Sequence, residues 1–197
     1  MNLARGICVL GLSALALSST GCLKAMLLNG QIKGTRQGSA AVNTLHDWEI
    51  ARGVAQAGIG QLEGFHTLAP ANTDALFMLT RAWAGVSFGF TEDDYEEAYE
   101  KGDDVMAEYH LLRARAGFAR AKHYGVELLG HHAEGFDAAK RNQATISAWL
   151  EQNFTDKEQA EDLLWIGYAW VGHVSTSKDV PEIVGELYVV VEMIERS

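Results

Sequence analysis

Proline is almost absent: Pro70 and Pro181 are the two among 197 residues. Sandwiches and barrels usually spend more proline in their turns, so its scarcity favours helix. Cysteine is as rare, and both copies, Cys8 and Cys22, fall within the first 22 residues. They cannot supply a disulfide framework for the body of the chain. Basic side chains are outnumbered, 16 Lys and Arg against 26 Asp and Glu, a net charge of −10. Phosphate backbones are held by clustered Lys and Arg, so no nucleic acid is expected as partner. No cysteine nucleophile or Gly-rich phosphate loop occurs in the body of the chain, so it reads as non-enzymatic, with no cofactor. Nor is it a disordered chain: 48% of residues are apolar, and one domain of this size buries enough surface to fold without staples.

What is present begins with a leader. Arg5 precedes the apolar run Ile7–Leu17, and Ser18-Ser19-Thr20-Gly21 follows it. A positive start, an apolar core of about ten residues and small residues at a cut site make a secretory signal peptide. The run is shorter than the roughly 20 residues of a membrane span. Thr20-Gly21-Cys22 resembles the cleavage box of a bacterial lipoprotein signal, although Ser19 stands where that family prefers Leu. The resemblance implies a signal peptide over residues 1–21, lipidation at Cys22, and a lipid-anchored chain in the periplasm. Leu23 rather than Asp after the cysteine implies the outer membrane. The plainer alternative is ordinary secretion with an incidental Cys22.

Helical spacing dominates from Asp47 onward. Asp47 caps a helix to about His66, with Trp48, Ala51, Ala55, Ile59, Leu62 and Phe65 on one face. Asn72 caps a second carrying Leu76, Leu79, Trp83 and Val86. Thr91 caps a third, with Asp94 three residues on and Phe90 and Tyr95 placed as a hydrophobic staple. A long helix covers about Val105–Leu129, with Tyr109, Leu112, Ala116, Phe118 and Ala121 as its apolar positions. A shorter one covers Phe136–Glu151. Thr155 with Glu158 opens the next, and Asp179 with Glu182 opens the last, Pro181 lying in its first turn. Residues 22–46 read as a lipidated terminus with a linker or one short, broken helix, interrupted by Asn29-Gly30, Gly34 and Gly38. The last helix carries Ile183, Val184, Leu187, Tyr188, Val191 and Ile194, an apolar face wider than one neighbour covers, which predicts a homo-oligomer. Glycine is plentiful at 20 residues. Small residues at Gly53, Gly58, Gly60, Ala82, Gly85, Gly117 and Gly167 would let helices approach closely.

Parts of these helices share the phase of tetratricopeptide repeats, 34-residue helix–turn–helix units. Leu62, Phe65 and Pro70 fit the end of a second helix, and Leu76, Leu79 and Trp83 the first helix of the next unit. Ala114, Phe118 and Ala121 fit a second helix again; Leu163, Ile166, Gly167 and Trp170 fit another first. The expected fold is all-α: an α-solenoid of degenerate helix pairs over residues 47–197.

The segments Asn43–Ala51, Leu68–Leu76, Trp83–Phe90, Phe90–Tyr95, Tyr124–Leu129 and Trp165–Trp170 resemble the T component of tripartite ATP-independent periplasmic (TRAP) transporters. The resemblance covers nearly all of the chain after the leader. It implies an all-helical, tetratricopeptide-like lipoprotein that partners a periplasmic solute-binding protein. It also implies an apolar channel for a hydrophobic ligand, with Trp83, Phe88, Phe90, Trp165 and Tyr168 as its expected wall. Chains of that family usually continue past the equivalent of Glu192–Ser197, which implies either a missing last repeat or an incomplete reading of the chain. Without the resemblance, the same helix pairs fit a general scaffold for envelope assembly with no ligand, or a hydrolase or metal enzyme in a helical fold.

Other constellations have plainer readings. His123, Glu127 and His131 lie at i, i+4, i+8 with His132 adjacent; no H-E-x-x-H accompanies them, and an exposed polar face is the better reading, with no metal. The acidic run from Glu92 to Asp104 lacks the ligand order of a calcium loop and reads as a solvated face. Trp149, near a helix end, fits either the core or a partner-facing position.

Overall fold

The computed structural model describes residues 22–197, and the leader with Cys8 lies outside them. Helix α1 covers residues 22–38, and a 3-10 turn, Ser39–Thr44, leads to α2 (Trp48–Leu68) and α3 (Thr73–Val86). A π-helical segment, Ser87–Glu92, runs on into α4 (Asp93–Glu100), followed by the long α5 (Asp104–His132). Then come α6 (Phe136–Ala139), α7 (Gln143–Asn153), α8 (Lys157–Ser175), α9 (Pro181–Val184) and α10 (Leu187–Arg196). There is no strand among the described residues. The fold is all-α, as composition and periodicity predict.

Caps set several boundaries. The Asp47 carboxylate accepts from the Ile50 amide and the Asn72 side chain from the Ala75 amide, satisfying donors that no helical carbonyl reaches. Other predicted boundaries differ. Thr91 caps nothing: it lies inside the π segment, where its hydroxyl donates to the Val86 carbonyl five residues back. The helix expected over Phe136–Glu151 is two, because Asn142 caps a fresh start through the Thr145 amide. The capping box that opens α8 is Asp156 with Gln159, one residue beyond Thr155. Asp179 does not cap the last helix; it pairs with Arg115, and the helix breaks at Gly185-Glu186 into α9 and α10. Residues 22–38 form one continuous helix, since Gly30 and Gly34 face open space and nothing forces a break.

The centre is made by α3, α5 and α8, each packed on the other two, with α2 against α3, α4 against α5 and α10 against α8. Consecutive contacts therefore run α3–α5–α8–α10, with α3 also touching α8. Leu76, Leu79, Leu128, Leu129, Ile146, Leu150, Leu163, Ile166 and Trp170 form one core. A second, small-residue core sits where α3, α5 and α8 cross: Ala84, Ala114, Ala121 and Ala169 surround Phe118. Here the glycine account holds in part. A Cβ on Gly172 would lie 2.2 Å from the Phe118 ring, and one on Gly117 would lie 2.0 Å from Ser87 Oγ. Gly167 is also close, 2.8 Å from Ile194. Gly53, Gly58, Gly60 and Gly85, in contrast, face open space and are not needed for close approach.

The end of the chain is partly covered. Val189, Val190 and Met193 of α10 are buried on α7 and α8, whereas Leu187, Val191 and Ile194 remain exposed. The break at Gly185 turns α10 so that its buried stripe differs from the one that a single helix over Pro181–Arg196 would present.

Candidate functional site

The π segment decides where the expected channel aromatics go. A π turn inserts an extra residue and changes which side chains share a face. It is seated against α5 at Gly117, where the missing side chain leaves room for Ser87. Within it Phe88 and Phe90 point to different neighbours. Phe88 meets Tyr168 edge-on with centroids 5.7 Å apart, and Tyr168 meets Trp165 at 5.5 Å. Arg81 lies 5.0 Å over the Trp165 ring. Phe90 instead packs against Trp48 of α2, the rings tilted by 60° with centroids 4.7 Å apart.

Trp83 is elsewhere again. Its indole donates to Glu63 Oε1 at 2.9 Å, and the same carboxylate accepts from Arg120 and the Tyr124 hydroxyl. Burial would raise the Glu63 pKa, but the bonds from Arg120, Tyr124 and Trp83 outweigh it and hold the carboxyl below its usual range. Tyr124 is pushed up to about 12 by burial and by Glu63. This hub joins α2, α3 and α5.

The five residues thus occupy three places: Phe88, Trp165 and Tyr168 form one outward-facing ladder, Trp83 joins the Glu63 hub, and Phe90 covers Trp48. The ladder is half-wet: Phe88 is 58% exposed, and Trp165 and Tyr168 are intermediate. Burial and then the neighbouring Glu92 push Tyr168 up to about 12, so it stays a neutral phenol. Glu92 is itself raised, by burial and then by Glu96.

Two concavities lie away from all five. One, about 580 Å³, opens between the end of α5 and α6, lined by Val126, Gly130, Ala133, Phe136, Ala138 and Arg141. The other, about 270 Å³, lies beside Phe154, Leu163 and Arg196. Trp149 faces inward, donating to the Glu134 carbonyl at 2.8 Å and packing on Phe136 and Phe154. His132 pairs with the buried Asp162 at 2.9 Å instead of joining His123 and Glu127. Among the described residues no group of three or more His, Cys, Asp or Glu could hold a metal ion.

One surface escapes the sequence reading. On α5 the buried residues are Ala107, Ala114, Gly117, Phe118, Ala121, Tyr124, Gly125, Leu128 and Leu129. Val105, Tyr109, Leu112 and Ala116 are all exposed, Val105 by 77%. At about 100° per residue they form one stripe on the side opposite the buried one. Tyr109, Leu112 and Ala116 therefore do not share a face with Phe118 and Ala121, as one apolar list suggests. The spacing i, i+4, i+7, i+11 from Val105 is the signal that separates the two. The stripe's surroundings are acidic: Glu96, Glu97 and Glu100 on α4, and Asp103, Asp104 and Glu108 at the start of α5. Of the nearby cations, Lys101 pairs with Glu97, and Arg113 lies 5.4 Å over the Tyr109 ring and 3.9 Å from Asp94.

Cys22 is exposed at the start of α1 with a free thiol. No helix of the described residues is long and apolar enough to cross a membrane. No curated protein and no solved structure matches the chain significantly. A family model does: the TRAP transporter T-component model matches residues 44–197, from the turn before α2 to the last residue. Because that match spans well over half of the chain, this all-helical chain belongs to the TRAP transporter T-component family.

Proposed function

We propose that this chain is a non-enzymatic, lipid-anchored periplasmic component that docks the solute-binding protein of a TRAP system through the exposed stripe of α5. The exposed apolar stripe Val105–Tyr109–Leu112–Ala116, directly opposite the helix's buried side, is the observation that supports it. Such a stripe on the surface of a folded chain marks a protein–protein contact. Its acidic border fits a partner whose apolar patch is rimmed by Lys and Arg, and disfavours pairing with an identical copy. The anchor is the lipid on Cys22, and the outer membrane is its place.

The experiment is a binding titration with the TRAP solute-binding protein of the same system. Tyr109→Asp and Leu112→Asp should each weaken binding at least tenfold while leaving the helical circular dichroism unchanged, since both residues are exposed. A parent that binds no such protein, or variants that bind like the parent, would remove the proposal.

The ladder Phe88–Tyr168–Trp165 supports the second half of the family reading, contact with a hydrophobic ligand, more than Trp83 or Phe90 does. The rival reading is a scaffold with no ligand, and two concavities lined by none of the five aromatics fit it. Native mass spectrometry of the purified chain separates them. A bound lipid or fatty acid lost in Phe88→Ala or Tyr168→Ala supports a carrier. A chain without bound lipid that still holds its solute-binding partner supports the scaffold.

A further inference from the structure

The charge of the chain is divided unevenly along its length. All 26 acidic residues lie from Asp47 onward; α1 carries Lys24, Lys33 and Arg36 and no acid. The helix is also apolar on one side at its start. Leu23, Met26 and Leu27, at i, i+3 and i+4, are 57%, 74% and 65% exposed, on the two turns that follow Cys22. The rest of the helix is held down. Ile32 is fully buried and Leu28 packs on the main core. Arg36 bonds Asp74 at 2.8 Å and lies 3.8 Å over the Phe77 ring, and Asn29 accepts from Asn72 at 2.9 Å.

We propose that the first two turns of α1, through Leu23, Met26 and Leu27, seat in the interface of a lipid bilayer beside Cys22, with Lys24 toward anionic headgroups. The proposal rests on the lipidation of Cys22. At about 1.5 Å of rise per residue, Leu27 lies less than 10 Å along the helix from an acylated Cys22, within the interfacial zone that amphipathic helices occupy. Exposed apolar side chains held that close to the headgroups gain by entering the boundary, and a basic, acid-free helix suits an anionic surface. From Asp47 onward 26 acidic residues stand against 12 basic ones, a net charge of −14 that an anionic surface repels. Because Ile32 and Arg36 fix the remainder of α1 to α3 and α8, the anchor has no slack, and the body meets the bilayer in one orientation.

The full chain, produced with its leader in a bacterial host, carries single cysteines for an environment-sensitive fluorophore: Met26→Cys, Leu27→Cys, Gln31→Cys or Glu151→Cys. An acylated Cys22 does not react with the label, and intact mass reports acylation. The samples are reconstituted in phosphatidylethanolamine–phosphatidylglycerol vesicles containing brominated acyl chains. The expected result is a blue shift and quenching at positions 26 and 27, and neither at 31 or 151. An acylated protein whose position 26 is unquenched overturns the proposal and leaves lipidation standing. A protein without acyl mass overturns both. A blue shift without vesicles that grows with protein concentration assigns the face to a second copy. A concentration-independent blue shift without vesicles, in protein that retains residues 1–21, assigns it to the leader. Either overturns the proposal.

Discussion

Glu63 shows how much a single carboxylate can organise. Three donors from α3 and α5 converge on it, and its folded pKa lies below the ordinary value near 4.5. A depressed folded pKa means that the unfolded chain binds the proton more tightly. The stabilisation is therefore present above the ordinary value and is lost as pH falls through the folded one. His173 acts in the same direction at higher pH. Burial, and then Lys122, lower its pKa from 6.5, so protonation favours the unfolded state and stability declines as pH drops below that value. Denaturant midpoints measured against pH should fall in two steps, one below about 6.5 and one below about 4.5. Glu63→Gln should shrink the lower step, to which Asp94, held low by its bond from Arg52, also contributes, and cost about 1–3 kcal/mol at neutral pH, since charged hydrogen bonds are broken. The aromatics divide by the same logic. Trp83 is partly buried and bonded, so Trp83→Ala should cost about 3 kcal/mol or more. Phe88 is mostly exposed, and Phe88→Ala should cost less than about 1 kcal/mol. Equal losses in urea unfolding would contradict this division.

At the level of the helix, glycine has two opposite meanings in one chain. Gly172→Ala drives a methyl group into the Phe118 ring and should destabilise by about 1–3 kcal/mol, because α5 and α8 must separate. Gly58→Ala meets nothing and should stabilise by up to about 1 kcal/mol through helix propensity alone. Paired urea titrations test both signs. The sequence does not distinguish the two glycines, because both sit in helical patterns with apolar neighbours; only the path of the neighbouring helix does. The same limit explains what was and was not legible. The helices beginning at Asp47 and Asn72 are readable because a capping side chain and a 3.6-residue period agree there. The π segment is not, since its extra residue is set by contact with Gly117, far away in sequence. Without it, Phe88 and Phe90 look like parts of one wall. The α5 stripe was readable in principle, but a helix with two apolar sides looks like one well-buried helix until the angles are separated.

For the molecule as a whole, α3, α5 and α8 pack on one another as a centre, and α2, α4 and α10 are each added to one of them from outside. The long, buried helices lie in the middle and the family match extends over all of them. At one end of this arrangement is α2, with Gly53, Gly58, Gly60 and Gly64 in one 21-residue helix, each facing open space. Its buried residues, Ile59, Leu62 and Phe65, are all in its second half. The first half is held by Trp48 on Phe90 and by Arg52 on Asp94. A helix so poor in intrinsic propensity and so lightly held is the first to open and the last to close. The consequence is one of time: amide protons over residues 50–57 should exchange with solvent orders of magnitude sooner than those of residues 114–128, and replacing Gly53 and Gly58 by alanine should lengthen their lifetimes without altering those of α5. The envelope component would then have a slow clock in its centre and a fast one at its edge.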